Sequence, residues 1–383
     1  MPTPTRDAVL DALKNIQDPD LFKDIVTLGF VRDVVIEGGK VKVNINLTTP
    51  ACPVKEQMKG QAEELIKKLP GVTSVQVDMT AEVKGQGGPP RKLANDIRHI
   101  VAVSSGKGGV GKSTVTVNLA VALKRAGARV GILDCDVYGP DIPMMMGLTG
   151  EPEMMGKKLI PKERHGVKTM SIGYLLAEEK PVIWRGPMVH KLIEQFLGDV
   201  EWGALDYLLV DMPPGTGDAQ LSLAQIVPLS GCVLVTTPQA VSTYDVGKAV
   251  AMFRQVNVDI LGIVENMAGY LVAGTIAGAK AGTQVMLESG HGVEKVVTDA
   301  AGRFEHVVPM FGTGGAERLA KKHGFPVLGR VPLNPVVRVG GDAGDPVTVA
   351  APESPIAREF FAIAGRVAQK LAIAEHKQLP VLQ

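Results

Sequence analysis

Hydrophobic positions along this chain change their period near residue 96. Before that point, residues 5–16 place Val9, Leu10, Leu13 and Ile16 on one face of a helix. Phe30 to Ile36 and Val41 to Leu47 read as strands joined through Glu37-Gly38-Gly39-Lys40, a hairpin signal. Pro53 to Leu69 reads as a helix stopped by Pro70-Gly71, and Val72 to Met79 as a third strand. Together they make a small α+β domain of about 85 residues, an ordinary size. Lys84-Gly85-Gln86-Gly87-Gly88-Pro89-Pro90-Arg91-Lys92 then has linker composition. Beyond it, apolar runs at 99–103, 129–133, 207–211, 231–237, 258–264 and 327–331 alternate with helical segments, and a last helix covers about 354–374. Such alternation predicts an α/β fold, a mostly parallel sheet covered by helices on both faces. The expected organisation is a small α+β domain over 1–83, a Gly/Pro linker over 84–95, the α/β domain over 96–375 and a tail over 376–383. No internal repeat is visible.

Bulk properties narrow the function classes. The 383 residues carry 41 Lys and Arg against 40 Asp and Glu, a formal charge of +1. That balance gives no electrostatic reason to expect nucleic acid or an anionic membrane as partner. Hydrophobic residues make up 45% but aromatics only 4%, and 44 glycines are present, which predicts cores of Val, Leu, Ile and Ala. Three widely separated cysteines, Cys52, Cys135 and Cys232, imply no disulfide framework. No basic-then-apolar leader opens the sequence. The longest uncharged stretch, Ala219 to Tyr244, is punctuated by Pro228, Gly231 and Pro238 and reads as containing a buried strand, not a membrane span. The expectation is a soluble, cytoplasmic protein.

The most informative stretch is GKGGVGKST at 106–114, a G-x-x-x-x-G-K-[ST] pattern in Gly106, Gly111, Lys112 and Ser113. A triphosphate is a dense block of negative charge. Binding it takes backbone N–H groups without side chains in the way, one lysine for the β- and γ-phosphates and one hydroxyl for Mg²⁺. Gly108, Gly109 and Gly111 supply bare backbone, Lys112 the charge and Ser113 the hydroxyl; Val110 and Thr114 complete the expected ATP-binding loop. The apolar run His99 to Val103 precedes it and a helical pattern from Val115 to Leu123 follows, the strand–loop–helix setting such a site needs.

Two further segments end in carboxylates at expected strand tips, where α/β sheets place ligands. Val130 to Leu133 leads into Asp134-Cys135-Asp136, and Tyr207 to Val210 into Asp211-Met212-Pro213-Pro214-Gly215. Asp211 is expected to hold a Mg²⁺-bound water, and Gly215 to bring its N–H near a γ-phosphate. Asp134 and Asp136 are expected to face opposite sides at this strand tip, one toward the metal and one toward an attacking water. Expected catalytic residues are therefore Lys112 and Asp136, with Ser113, Asp134 and Asp211 around Mg²⁺.

Lys107, inside the loop, is a lysine an ordinary phosphate loop does not need. The pattern K-G-G-x-G-K-[ST] resembles the deviant loop of the MinD, ParA and nitrogenase-iron-protein class of P-loop NTPases, which implies that Lys107 reaches across a homodimer that sandwiches ATP, as a third catalytic residue. The loop, LDCDVYGPDIPMMMG at 133–147, WRGPM at 184–188, DYLLVDMPPGTGD at 206–218, VTTPQAVS at 235–242, VENMAG at 264–269, FGTGGAERLA at 311–320 and GRVPLNPVVRVGGDAGDPV at 329–347 together resemble the Mrp (ApbC) subgroup, over residues 96–372. DPDL at 18–21 and LTTPACPVKEQM at 47–58 resemble the small SufT/PaaD-type domain found in front of such proteins. The resemblance implies an ATP-hydrolysing carrier that loads iron–sulfur clusters onto apoproteins, and places Asn266 against adenine.

The chain departs from that pattern in one respect. Many Mrp proteins carry C-x-x-C shortly after the Asn-Met pair; here Asn266-Met267 is followed by AGYLVAGTIAG, and no cysteine follows Cys232. The stretch up to Phe311 is also long and rich in Gly and Ala. Cys232, within an apolar strand, reads as core packing. Cys135, between two aspartates, does too. Cys52, in Thr-Pro-Ala-Cys-Pro ahead of a helix, reads either as a ligand or reactive thiol, since a helix N-terminus favours thiolate, or as a turn residue. His291, His306 and His323 lack metal-ligand spacing. Gly274, Gly278 and Gly282 give G-x-x-x-G twice, read as a mobile loop or close helix packing. Three functions follow: a cluster carrier, a nucleotide-switched adaptor without metal, and a ParA-like positioning ATPase. The last needs a basic patch or an amphipathic tail, and the sequence supplies neither.

Overall fold

In a computed structural model of the chain, the structure describes residues 4–19, 21–83, 94, 96–175, 186–290 and 292–378. The expected linker, the WRG of the 184–188 motif, Asp20 and His291 fall wholly or largely outside these residues. The chain divides into two compact units: residues 1–89, 126–128 and 365–383 form one, residues 90–125 and 129–364 the other.

The first unit carries helix α1 (Arg6–Leu13), strands β1 (Val31–Glu37) and β2 (Lys40–Leu47), helix α2 (Lys55–Lys67) and strand β3 (Ser74–Ala81). β1 and β2 pair antiparallel and β2 and β3 parallel. The hairpin turns on Gly38 and Gly39, at φ 52° and 89°, backbone that side chains rarely adopt. Val9 and Leu13 from α1, Met58, Ala62 and Ile66 from α2, and Val41, Val43, Ile45 and Leu47 from β2 close one core. The alternating burial along β2 is what a half-covered sheet requires.

The second unit begins with β4 (Ile97–Ser105), α3 (Lys112–Arg125), β5 (Val130–Asp134) and α4 (Ile142–Met145). A small hairpin, β6 (Met154–Met155) and β7 (Lys158–Leu159), precedes β8 (Lys162–Arg164) and β9 (Val167–Ser171). Then come α5 (Gly186–Gly198), β10 (Leu205–Asp211), α6 (Asp218–Ile226), β11 (Gly231–Thr236), α7 (Ala240–Gln255) and β12 (Ile260–Thr275). The remainder is β13 (Gln284–Ser289), β14 (Gly292–Val297), β15 (Arg303–Val308), α8 (Gly315–His323), β16 (Val327–Leu333), α9 (Pro335–Ala343) and α10 (Val347–Ala350). The last helix, α11 (Pro355–Gln378), ends in the first unit's span.

A nine-stranded sheet runs β15-β12-β11-β4-β10-β5-β9-β8, with β16 also paired to β12. Its inner pairs are parallel; only β8 and β15 at the ends run antiparallel. This is the mostly parallel, helix-flanked α/β sheet the alternation predicts. β4 has β10 on one side and β11 on the other, so the loop after β4 opens at the reversal of strand order, where α/β sheets gather ligands.

Two expectations change. The run at 258–264 is the inner half of a sixteen-residue strand, β12, whose outer half pairs with β15. Residues 268–310 thus form an antiparallel β extension, β13 and β14 pairing as its tip. The glycines at 274, 278 and 282 serve strand end and turns, not helix packing: Gly278 and Gly282 sit at φ 76° and 81°, and Gly274 leaves room for the Phe304 ring. The expected opposition of Asp134 and Asp136 cannot come from an extended strand, where positions i and i+2 share one face; β5 ends at Asp134 and the chain turns there.

Candidate functional site

The phosphate-loop pattern lies between β4 and α3, as its sequence setting requires. Gly109 and Gly111 sit at φ 76° and 81°, conformations that need glycine. Gly106 is bare for another reason: a Cβ there would collide with the Asp245–Val246 peptide of α7. At Gly111 it would collide with the Asn266 side chain. The Ser105 hydroxyl donates to the Lys107 carbonyl at 2.9 Å and steadies the loop's entry. Lys107 is half-buried, and among the described residues no carboxylate lies within ion-pair distance of it. Gly108 is exposed, Val110 buried and Thr114 half-buried.

Lys112 and Ser113 open α3 and turn toward the sheet. Asp211, at the tip of β10, is fully buried and lies beside Val103 of β4 and Asp134 of β5 in register. One of its oxygens, Oδ2, accepts from Lys112 Nζ at 2.6 Å and from Ser113 Oγ at 2.7 Å. The other, Oδ1, accepts from Thr116 Oγ1 at 2.6 Å. Asp136 Oδ2 stands 3.5 Å from Lys112 Nζ, while its Oδ1 accepts from Gly139 N at 3.3 Å. Burial works against the Lys112 charge, but Asp211 and then Asp136 and Asp134 outweigh it and hold the ammonium above its usual range.

Asp134 is tied differently. Its Oδ2 accepts from Ser171 Oγ at 2.8 Å, and its Oδ1 accepts from the backbone N–H of Asp136 at 3.1 Å. Asp211, Asp134 and Ser171 form a row across β10, β5 and β9. Burial, then the Asp211 charge, pushes the Asp134 carboxyl well above the usual carboxylate range. Burial raises Asp136 as well, with Lys112 opposing.

Gly215, at φ 97°, gives its N–H to Ser105 O at 3.2 Å, which pins the Asp211–Gly215 turn to the end of β4. Gln220, in the first turn of α6, donates to Ser104 Oγ and to Pro213 O from a buried position. Asn266 Nδ2 donates to Val110 O at 2.9 Å, and its neighbour Glu265 accepts from Ala316 N at 3.0 Å. β12 thus touches the loop with one residue and the start of α8 with the next.

The structure therefore brings together Gly106, Lys107, Gly108, Gly109, Val110, Gly111, Lys112, Ser113, Thr114, Asp134, Asp136, Asp211, Gly215 and Asn266 at one end of the sheet. The residues fit a nucleotide with Mg²⁺: a cradle with no room for a Cβ at Gly106 or Gly111, one lysine, one hydroxyl and carboxylates. Among the described residues no group of three or more His, Cys, Asp or Glu is arranged to hold a metal by itself. Mg²⁺ does not need one, since it keeps waters and phosphate oxygens and takes one or two protein ligands.

Cys52 is apart from this cluster, in the first unit. It is half-buried two residues before the Val54 N-cap of α2 and lines a small cleft with Asp18, Leu21, Phe30 and Thr49. Cys135 and Cys232 are buried as packing residues, and burial pushes both thiols well above their usual range. His306 lies 2.5 Å from Glu294, and His323 stacks on Phe325. Sequence reasoning missed Thr116, Ser171, Gln220 and Glu265. Only Thr116 left a signal, one turn after Lys112 on the same face of the helix.

No described helix is long and apolar enough to cross a membrane. A family model described as NUBPL iron-transfer P-loop NTPase matches residues 96–281 and 293–368, and one described as iron–sulfur cluster assembly protein matches residues 6–78. An iron–sulfur cluster carrier protein of Synechocystis sp. is 46% identical over 97% of this chain and 99% of its own length. One of Deinococcus radiodurans is 41% identical over 98% of each. A solved nucleotide-binding protein of Archaeoglobus fulgidus, in complex with ADP, is 37% identical, with a TM-score of 0.54 over 70% of this chain and 94% of that one.

Proposed function

The chain belongs to the NUBPL iron-transfer P-loop NTPase family, and from that premise we propose that it is an ATP-hydrolysing carrier that assembles iron–sulfur clusters or delivers them to apoproteins. The observation that carries the proposal is the convergence of Lys112 and Ser113, at the start of α3, on Asp211 at the tip of β10, within 2.6–2.7 Å. In this reading the backbone from Gly106 to Thr114 wraps the phosphates, and Lys112 leaves Asp211 to meet the β- and γ-oxygens. Ser113, Asp211 and Asp134 would hold Mg²⁺, which would supply positive charge to offset that of the phosphate oxygens. Asp136 orients a water for in-line attack on the γ-phosphorus. The bond to the β-phosphate oxygen breaks, ADP leaves, and the water's proton ends on the released phosphate. Turnover is slow and Mg²⁺-dependent. Asn266 meets adenine, and Lys107 meets the partner's nucleotide in a homodimer. The domains run over 1–83 and 96–375, the protein works in the cytoplasm, and its partners are iron–sulfur apoproteins or assembly factors.

The cluster is cargo. Cys135 and Cys232 are buried with raised thiol pKa values, which leaves Cys52 as the thiol with exposure. That observation also favours a second reading, a nucleotide-switched adaptor that carries no metal. Anaerobic reconstitution followed by iron and sulfide analysis separates the two. A carrier retains substoichiometric iron that Cys52→Ala abolishes. Wild type without iron supports the adaptor. Iron kept by Cys52→Ala removes Cys52 from the ligand set.

A further inference from the structure

Asp211 has three side-chain donors, and a bound nucleotide would draw two of them away. Lys112 Nζ and Ser113 Oγ both donate to Oδ2, yet the ammonium is what a loop of this kind offers to phosphate and the hydroxyl what it offers to Mg²⁺. The third donor is Thr116. Its Oγ1 is 2.6 Å from Asp211 Oδ1 and 3.0 Å from the Lys112 carbonyl. A hydroxyl has one hydrogen, and the shorter contact to the charged acceptor takes it. Thr116 is fully buried on α3, a continuous helix that also carries Lys112 and Ser113. Asp211 is fully buried too, on β10, which packs in register between β4 and β5. This contact is therefore a fixed bridge from the helix behind the phosphate loop to the carboxylate in front of it.

We propose that Thr116 is a positioning residue for Asp211. It holds Oδ1 so that Oδ2 stays aimed at the loop when Lys112 and Ser113 turn to a ligand. Without it, a buried carboxylate oxygen loses its donor, and the group rotates to find another at the expense of its aim. The proposal rests on the nucleotide reading of this site and adds a residue that no phosphate-loop pattern contains.

The test measures binding, not turnover. Full-length wild type, Thr116→Val, Thr116→Ala and Thr116→Ser are titrated with fluorescent ADP, with Mg²⁺ and with chelator in its place. Valine keeps the shape and removes the hydroxyl, alanine cannot crowd its neighbours, and serine restores the donor. In wild type Mg²⁺ tightens ADP binding. In Thr116→Val and Thr116→Ala about tenfold of that gain is lost, as expected for a hydrogen bond to a charged group. Affinity without Mg²⁺ stays within twofold, and Thr116→Ser recovers the gain. A full Mg²⁺ gain in Thr116→Val or Thr116→Ala overturns the proposal. So does equal weakening with and without Mg²⁺, which marks Thr116 as merely structural. Wild type with no ADP binding overturns the nucleotide reading and this proposal with it, whereas wild-type binding with an unaffected variant overturns this proposal alone.

Discussion

Replacing Lys112 by Met should destabilise the second unit in the absence of nucleotide, quite apart from abolishing ATP binding. The variant keeps the length and apolar stem of the side chain and deletes its charge. Lys112 is 6% exposed and Asp211 0%, at 2.6 Å, and Asp136 is the next carboxylate at 3.5 Å. At an effective dielectric of about 20, the first contact alone is worth roughly 6 kcal/mol of gross attraction. Most of that offsets the cost of burying the two charges. Removing one partner exposes the cost and leaves Asp134, Asp136 and Asp211 without a cation, and broken buried pairs cost about 3–5 kcal/mol. Trp202 is buried in the second unit, so its fluorescence follows that unit's unfolding in urea. With a slope near 3 kcal/mol per molar, the midpoint should fall by about 1–1.7 M at neutral pH. The sign with pH is also fixed. Lys112 lowers the Asp134 and Asp136 pKa values, so its loss raises them further above the unfolded values. The folded variant then binds protons more tightly than its unfolded chain, and its deficit shrinks as pH falls. A midpoint shift below about 0.3 M with an unchanged slope, or a deficit that grows toward low pH, would refute the reasoning.

Three further outcomes are expected. Lys107→Ala should bind ATP nearly as wild type does but hydrolyse it about 10³-fold or more slowly, as when an arginine finger is lost; mixing it with Asp136→Asn should restore activity through one intact site per mixed dimer, and proven mixed dimers without recovery would place Lys107 in its own subunit's site. Gly106→Ala should weaken ATP binding about 10–100-fold by equilibrium titration, since the methyl meets the Asp245–Val246 peptide and overpacking costs ~1–3 kcal/mol; an unchanged affinity would contradict the close approach of α7. Asp206 accepts from Arg129 N at 2.8 Å, Nε at 3.1 Å and Nη2 at 2.7 Å, and although burial opposes it, these bonds hold its carboxyl below the usual range. Its contribution is present above the unfolded pKa and lost as pH falls through the folded one, so Asp206→Asn should cost about 1–2 kcal/mol at pH 7 and progressively less in acid; a pH-independent deficit in denaturant titrations would exclude the ion pair as the cause.

What the sequence could show was local. Gly111, Lys112 and Ser113 declare themselves because the chemistry of phosphate binding sits in one contiguous stretch. Asp134 and Asp211 are legible because an apolar run ending in a carboxylate marks a strand tip. The partners of those carboxylates are not legible. Ser171 faces Asp134 only because β9 pairs with β5 in that register, and Gln220 reaches Ser104 across 116 positions of sequence. The outer half of β12 was hidden for a related reason. Glu265-Asn266 and Ala268-Gly269 interrupt the apolar run, and Tyr270 to Thr275 continues the strand beyond them by pairing with β15. Because the chain turns after Asp134, that carboxylate ends among hydrogen-bond donors and Asp136 ends near Lys112.

The β extension offers a place to cut and splice. Thr275 and Arg303 face each other at the outer end of the β12–β15 ladder, and Ile276 N bonds to Gly302 O at 2.9 Å, so the chain beyond returns to where it left. The family match to residues 96–368 also steps over 282–292, inside this excursion. Replacing residues 277–301 by a short turn shortens the closed loop from about 27 residues to about 4, which by loop-closure entropy alone favours the folded state by roughly 1.7 kcal/mol. For the engineer the same point is a docking port: a fluorescent probe, an affinity handle or a whole folded domain whose ends lie close together could be grafted between Ile276 and Gly302, with β12 and β15 left as the stub that carries it.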